Sequence, residues 1–207
     1  ERYLGQEMFG VEELHADGRE VVAQQWTAAA GNGRMLSMIN GGTYGSDFAD
    51  GEIRLSLIRG AAYTAHPIGD RVILPQNRFS PRMDQGERLY SFEMNAGAED
   101  ARMAAVSREA QASNEPPYAL SFFPNGEGDK GTPGAVLDGE GVQLTALRPA
   151  EDGRGMILRL FDSTGKGAKA SVELPLYGAA ATVELQPFEI RTLRAEIGSI
   201  QDAGLLE

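Results

Sequence analysis

The feature that most constrains this chain is a series of short segments of alternating polarity, cut apart by glycine-rich turns. In "DGEIRLSLIRG" (Asp50–Gly60), Ile53, Leu55 and Leu57 face one way while Glu52, Arg54 and Ser56 face the other. A period of two residues puts one face of a strand in a core and leaves the other wet. "EVVAQQW" (Glu20–Trp26) reads as a strand behind the turn 16–18, and "RMLSMIN" (Arg34–Asn40) as a second one behind "GNG". "ERLYSFEMNAG" (Glu87–Gly97) repeats the pattern, with Leu89, Ser91 and Glu93 on one face and Tyr90, Phe92 and Met94 on the other. The last third is a run of such segments: Val142–Ala150, Met156–Gly165, Lys169–Leu176 and Ala181–Glu196, the last interrupted or edged at Pro187. With 26 glycines and 10 prolines as punctuation, this spacing predicts a mostly β chain, an antiparallel sandwich or barrel.

One segment breaks the pattern. Ala98–Ala112 is alanine-rich, acidic at its start, and stops before Asn114 and the Pro116–Pro117 pair, which predicts a short helix. The polar, glycine-rich stretch Pro124–Gly134 reads as a surface loop. No repeat of fixed period and no coiled-coil heptad is visible.

The 207 residues suit one large domain or two small ones, able to bury a core without disulfides, and there is no cysteine to form any. The net charge of −11 argues against nucleic acid and against an anionic membrane surface as partners, while a neutral sugar is not penalised. No apolar run approaches the roughly 20 residues of a membrane helix. No secretory leader is visible, and the chain opens on Glu1 rather than methionine, so it reads as a piece of a longer protein, cytoplasmic rather than exported.

Catalytic patterns are sparse. His15 and His66 lie far apart with no metal-ligand spacing around them, so both read as loop histidines. No G-x-S-x-G elbow, thiol or phosphate-cradling glycine loop appears. Asp47, Asp50, Asp84 and Glu87 are loop carboxylates, but nothing singles out two of them as an acid and base pair. Sugar binding needs an aromatic face and a few fixed polar groups, for which Tyr44, Tyr63, Trp26 and Tyr118 are available. Trp26 fits a core better than a surface, whereas Tyr44 stands in a glycine-rich turn. Arg59, at the end of its predicted strand, can hold an oxygen or a carboxylate with its fork, or serve in a surface ion pair.

Eight segments in one order carry a resemblance: "FG" (Phe9–Gly10), "EVVAQQW", "MINGGTYG" (Met38–Gly45), "DGEIRLSLIRG", "MDQGERLYSFEMNAG" (Met83–Gly97), "SNEPP" (Ser113–Pro117), "LTALRPAEDGRGMILRLFDSTG" (Leu144–Gly165) and "LQPFEIRTLRAE" (Leu185–Glu196). Over nearly the whole chain this resembles the C-terminal β domain of glycoside hydrolase family 38 α-mannosidases in their bacterial form. The resemblance implies a supersandwich of the galactose-mutarotase type over 1–197, followed by a tail at 198–207. It implies a parent that hydrolyses α-mannosides with retention, whose zinc ligands, nucleophile and acid/base lie upstream in a catalytic barrel and a helical domain. On that basis this chain holds no catalytic residue and no metal or other cofactor, and is inactive alone. Its partners are those N-terminal domains of the same polypeptide and an α-mannoside. Loops of the family's β region close over the sugar pocket, which makes Arg59, Tyr44, Asn40 and Asp84 the candidate substrate-binding residues. The sequence departs from the family where Glu87 follows Gly86 and where "MNAG" replaces a histidine motif, so no pocket role passes through those positions.

Two other readings of the same residues stand beside this one. The chain can be an independent carbohydrate-binding module, using Tyr44 or Trp26, or a packing module between domains that binds no sugar.

Overall fold

The computed structural model describes residues 1–61, 82–121, 127–128 and 131–205; Tyr63, His66 and part of the loop 124–134 lie outside them. Among the described residues, fifteen strands and one α-helix follow in chain order. In the first half, β1 (Arg2–Glu7), β2 (Gly10–Leu14), β3 (Val21–Val22), β4 (Trp26–Gly31), β5 (Arg34–Asn40), β6 (Gly45–Ala49), β7 (Glu52–Leu55) and β8 (Phe92–Ala98) lead into α1 (Glu99–Asn114). The second half holds β9 (Val136–Asp138), β10 (Val142–Pro149), β11 (Met156–Asp162), β12 (Ala168–Leu174), β13 (Ala179–Leu185), β14 (Ile190–Glu196) and β15 (Ser199–Asp202), with a 3-10 turn at Pro175–Tyr177. All pairings are antiparallel. Mostly β with one helix is the class the alternation predicts.

The first half is layered. A sheet in the order β2-β1-β4-β5-β8 carries α1 on one face and a small sheet, β3-β6-β7, on the other. Alternation along the strands sorts the two cores. Leu4, Trp26, Ala28, Ala30, Met35 and Ile39 meet Val106 and Ala110 of the helix, while Tyr3 meets Val21 and Phe48, with its ring stacked on Phe48 at 5.2 Å. The buried helical positions Arg102, Val106, Ser107 and Ala110 recur every three or four residues or so, which is why one stripe of α1 docks. Two tight hairpins set the register. Asn32 and Gly33 join β4 to β5, and Asp50 and Gly51 join β6 to β7; all four residues have positive φ, as a type I′ turn demands.

The second half is a sandwich of two sheets, β10-β11-β14-β15 and β13-β12-β9. Leu158, Leu160, Val172, Leu174, Leu185 and Leu193 close its core. Pro187 marks a break, as expected: the segment Ala181–Glu196 is two strands in different sheets. Ser199–Asp202, set apart as a tail in the sequence, forms β15 against β14.

Three strand expectations change. Glu20–Trp26 is not one strand, because the chain crosses sheets within it. Val21 and Val22 pair with β6, then Ala23 N bonds Tyr44 O and Gln24 N bonds Gln6 O before Trp26 enters the larger sheet. The strand at Asp50–Gly60 stops at Leu55, because its partner β6 begins at Gly45; the bond from Ser56 N to Gly45 O closes the ladder. The strand at Glu87–Gly97 begins only at Phe92 and is an edge strand, so both of its faces are largely wet.

Candidate functional site

The turn after β5 is pinned by backbone bonds on two sides. Gly41 N donates to Ser91 O, and Ala23 N donates to Tyr44 O. A Cβ on Gly41 would lie 2.3 Å from Ser91 O, so only glycine permits this approach. The result is a rigid mount for Tyr44, whose ring is exposed. Asn40 sits behind it, buried, with Nδ2 donating to Ala23 O at 3.2 Å and Oδ1 buried without a partner among the described residues. Its amide braces the crossover at Ala23 rather than presenting itself at the surface.

Arg59 is exposed and lies beyond the end of β7, not on it. Gly45 opposes Ser56, so Tyr44 and the chain leading to Arg59 leave the β6–β7 hairpin at the same end. Asp84 occupies a separate exposed turn with φ 58 and faces Arg88 at 3.4 Å. Of the other loop carboxylates, Asp47 faces Arg54 across the hairpin at 3.3 Å, and Asp50 is a turn residue. Trp26 is fully buried, its Nε1 donating to Ser107 Oγ at 3.1 Å, so it is core. Among the described residues, no group of three or more His, Asp or Glu could hold a metal ion. The His15 ring contacts Arg19.

Beside Tyr44 runs an open groove of about 390 Å³, formed by the turn, by Gln24 and Gln25, and by the end of α1 at Ser113, Asn114 and Glu115. Its walls offer an aromatic ring, amides, a hydroxyl and one carboxylate, a set that can hydrogen-bond a neutral polyhydroxylated ligand. The two glutamines were hidden in the sequence inside an apparent strand; the helix end was visible as "SNEPP".

The groups whose acidity the fold clearly alters serve structure. Hydrogen bonds from Arg19 bring the exposed Asp17 down to about 2. Hydrogen bonds from Arg102 hold Glu109 below the usual carboxylate range, those from Arg194 do the same for Asp152, and Lys166 lowers Asp100. Burial raises the Tyr3 phenol.

Comparison with known proteins gives one family match over part of the chain and two likenesses of fold. Residues 141–193, inside the second sandwich, match the model of the glycosyl hydrolases family 38 C-terminal beta sandwich domain. No curated protein matches. Among solved structures, an α-mannosidase from Enterococcus faecalis V583 superposes with a TM-score of 0.72 at 18% identity, over 94% of this chain and 24% of that one. A protein in glycosyl hydrolase family 38, also from Enterococcus faecalis, superposes with a TM-score of 0.73 at 18% identity, over 94% of this chain and 25% of that one. At such identity the likeness is one of fold, and this chain spans about a quarter of the length of those it matches.

Proposed function

We propose that this chain is the C-terminal β region of a larger, retaining, zinc-dependent α-mannosidase of family 38. In this reading it packs on a catalytic barrel supplied by the rest of the polypeptide and frames the entrance to the sugar pocket. The observation that carries it is the family match over 141–193 together with the superposition of 94% of the chain on about a quarter of two family 38 proteins. Two features of the surface support it. Tyr44 and the chain leading to Arg59 leave one hairpin together. The outer face of β5 and β8 leaves Leu36, Phe92 and Met94 exposed side by side, an apolar strip suited to burial against another domain. Asn40 acts here through Tyr44, as a brace, and Asp84 borders the entrance as an exposed carboxylate. Zinc and the reacting carboxylates belong to the catalytic domain, and hydrolysis belongs to the parent.

The test is a paired assay of p-nitrophenyl α-mannoside hydrolysis. The 207-residue chain alone should be inactive with or without added zinc, and the full-length parent active and sensitive to chelation. Arg59→Ala and Tyr44→Ala in the parent should raise KM more than they lower kcat. Hydrolysis by the chain alone, or a parent with no mannosidase activity, would end this reading.

A further inference from the structure

A second, smaller cleft of about 200 Å³ lies where the two halves of the molecule meet. It adjoins the Tyr44 groove, with which it shares Gln24, Gln25 and Glu115. Its wall gathers five of the chain's nine glutamines: besides Gln24 and Gln25 these are Gln6 from β1, Gln111 from α1 and Gln143 from β10. Glutamine is ordinarily a surface residue, yet Gln6 is 8% exposed and Gln143 6%. Buried amides of this kind cost free energy unless they are bonded. Gln143 Nε2 donates to Ser107 O at 2.9 Å and to Gln111 Oε1 at 3.3 Å. Gln6 Oε1 is buried with no partner among the described residues.

The apolar side of the cleft is equally specific. Phe9, at the tip of the β1–β2 hairpin, holds φ at 57, a conformation that a phenylalanine seldom adopts. In that conformation its ring meets Phe161 of β11 edge to face at 5.5 Å across the junction. The positive φ belongs to the two-residue turn between β1 and β2, and it sets the Phe9 ring on the wall of the cleft.

We infer that this cleft is a binding site for a single neutral sugar ring, separate from any pocket in a catalytic domain. Uncharged amides pair donor with acceptor on vicinal hydroxyls, and the part-exposed Phe9 ring can offer its face to the apolar C–H side of a sugar. An anion would meet Glu115 and a net charge of −11, with no cationic side chain in the wall to offset them. A cation would find one carboxylate at the rim. The cleft by itself, at about 200 Å³, has room for one ring.

The inference does not require the mannosidase reading, and its test fails separately. Side-chain amides of glutamine give their own signals in a ¹H–¹⁵N correlation spectrum of the 207-residue chain. Titration with methyl α-mannoside, and with methyl β-galactoside as a hexose of another configuration, should move the Gln111 and Gln143 signals saturably with at least one of them, with Kd on the order of 1 mM. Gln111→Ala, a helix-compatible change, should weaken binding about tenfold, as the loss of one or two hydrogen bonds requires. Phe9→Gly, which relieves the backbone while removing the ring, should weaken it at least as much and leave the dispersed spectrum intact. No saturable shift with either sugar overturns the inference. So does saturable binding that both variants retain, or binding confined to the Tyr44 signals.

Discussion

An ion pair within α1, whose two partners are unequally buried, reaches the sheet through Ser37 and Asn95, and that inequality makes a sharp prediction. Arg102 sits on α1 with its side chain 11% exposed; Glu109, two turns further on, is 35% exposed. Arg102 Nη1 donates to Glu109 Oε1 at 2.9 Å, and Nη2 donates both to Glu109 Oε2 and to Ser37 Oγ of β5. Arg102 Nε is already buried without a partner among the described residues. Removing Glu109 therefore strands a guanidinium beneath the helix, and Glu109→Ala should cost about 3 kcal/mol, the lower end for breaking a buried pair. Removing Arg102 instead leaves a carboxylate that water reaches and that Asn95 Nδ2 still bonds at 3.2 Å, so Arg102→Leu should cost only about 1 kcal/mol. The double variant should be more stable than Glu109→Ala alone, a coupling of about 1 kcal/mol or more. Urea unfolding at neutral pH with an unchanged m-value measures all three. The pH dependence follows with its sign. Hydrogen bonds from Arg102 lower the folded pKa of Glu109, so the carboxylate's stabilisation is present above its unfolded value of about 4.3 and is lost as pH falls through the lower folded value. The gap between the native chain and Glu109→Gln should close on acidification. If Glu109→Ala proves no costlier than Arg102→Leu, the burial argument is wrong.

Three further outcomes are expected. Trp26→Phe should cost about 1–3 kcal/mol by stranding the buried Ser107 hydroxyl, and adding Ser107→Ala should restore part of it in the same urea assay. Asp162 is fully buried and accepts from Thr164 N, Thr164 Oγ1, Gly167 N and Phe188 N. Asp162→Ala should lower the thermal midpoint more than any single surface substitution in the second sandwich, by about 2–3 kcal/mol of stability if two of the four donors stay dry. Gly155 has φ 78, and a Cβ there would lie 2.2 Å from Ala195 O, so Gly155→Ala should destabilise by more than about 1 kcal/mol, read as a shifted urea midpoint.

Legibility followed burial geometry. β5 runs over the residues expected, Arg34–Asn40, and α1 begins and ends within two residues of its sequence limits. In the second sandwich β10, β11 and β12 were readable from their inward-facing residues, whereas β13 and β14 were read as one segment, β15 was set apart as a tail and the three-residue β9 was not read. The β1–β2 hairpin was not, because Tyr3, Leu4, Gly5 and Gln6 are buried consecutively between the helix layer and the small sheet, which erases alternation. β6 hid behind the glycines that precede it. At the candidate site, the exposure of Tyr44 followed from its turn, and the burial of Trp26 from its pattern. The displacement of Arg59 beyond β7 depends on where β6 begins, which the alternation of "IRLSLIR" cannot encode. The glutamine cleft draws on residues from Gln6 to Phe161, and no local window contains it.

One residue explains why the groove and the cleft keep a fixed relation. Ser107 accepts from Trp26 of the first half through Oγ and from Gln143 of the second through its carbonyl. Arg108 beside it reaches Gly139 O at 2.7 Å, and Asp100 at the head of the helix meets Lys166 at 2.7 Å. The exposed Asp100–Lys166 pair adds little stability, whereas the Ser107 bonds are buried and directional, so α1 is positioned chiefly by its middle. The C-terminal end of the same helix supplies Gln111 to the cleft and Ser113 to Glu115 to the groove. Both binding surfaces therefore share one rigid element anchored in both halves. A ligand that orders the Gln111 side chain acts on a wall common to the surface that carries Tyr44, and a change that loosens Ser107 would disturb both surfaces together.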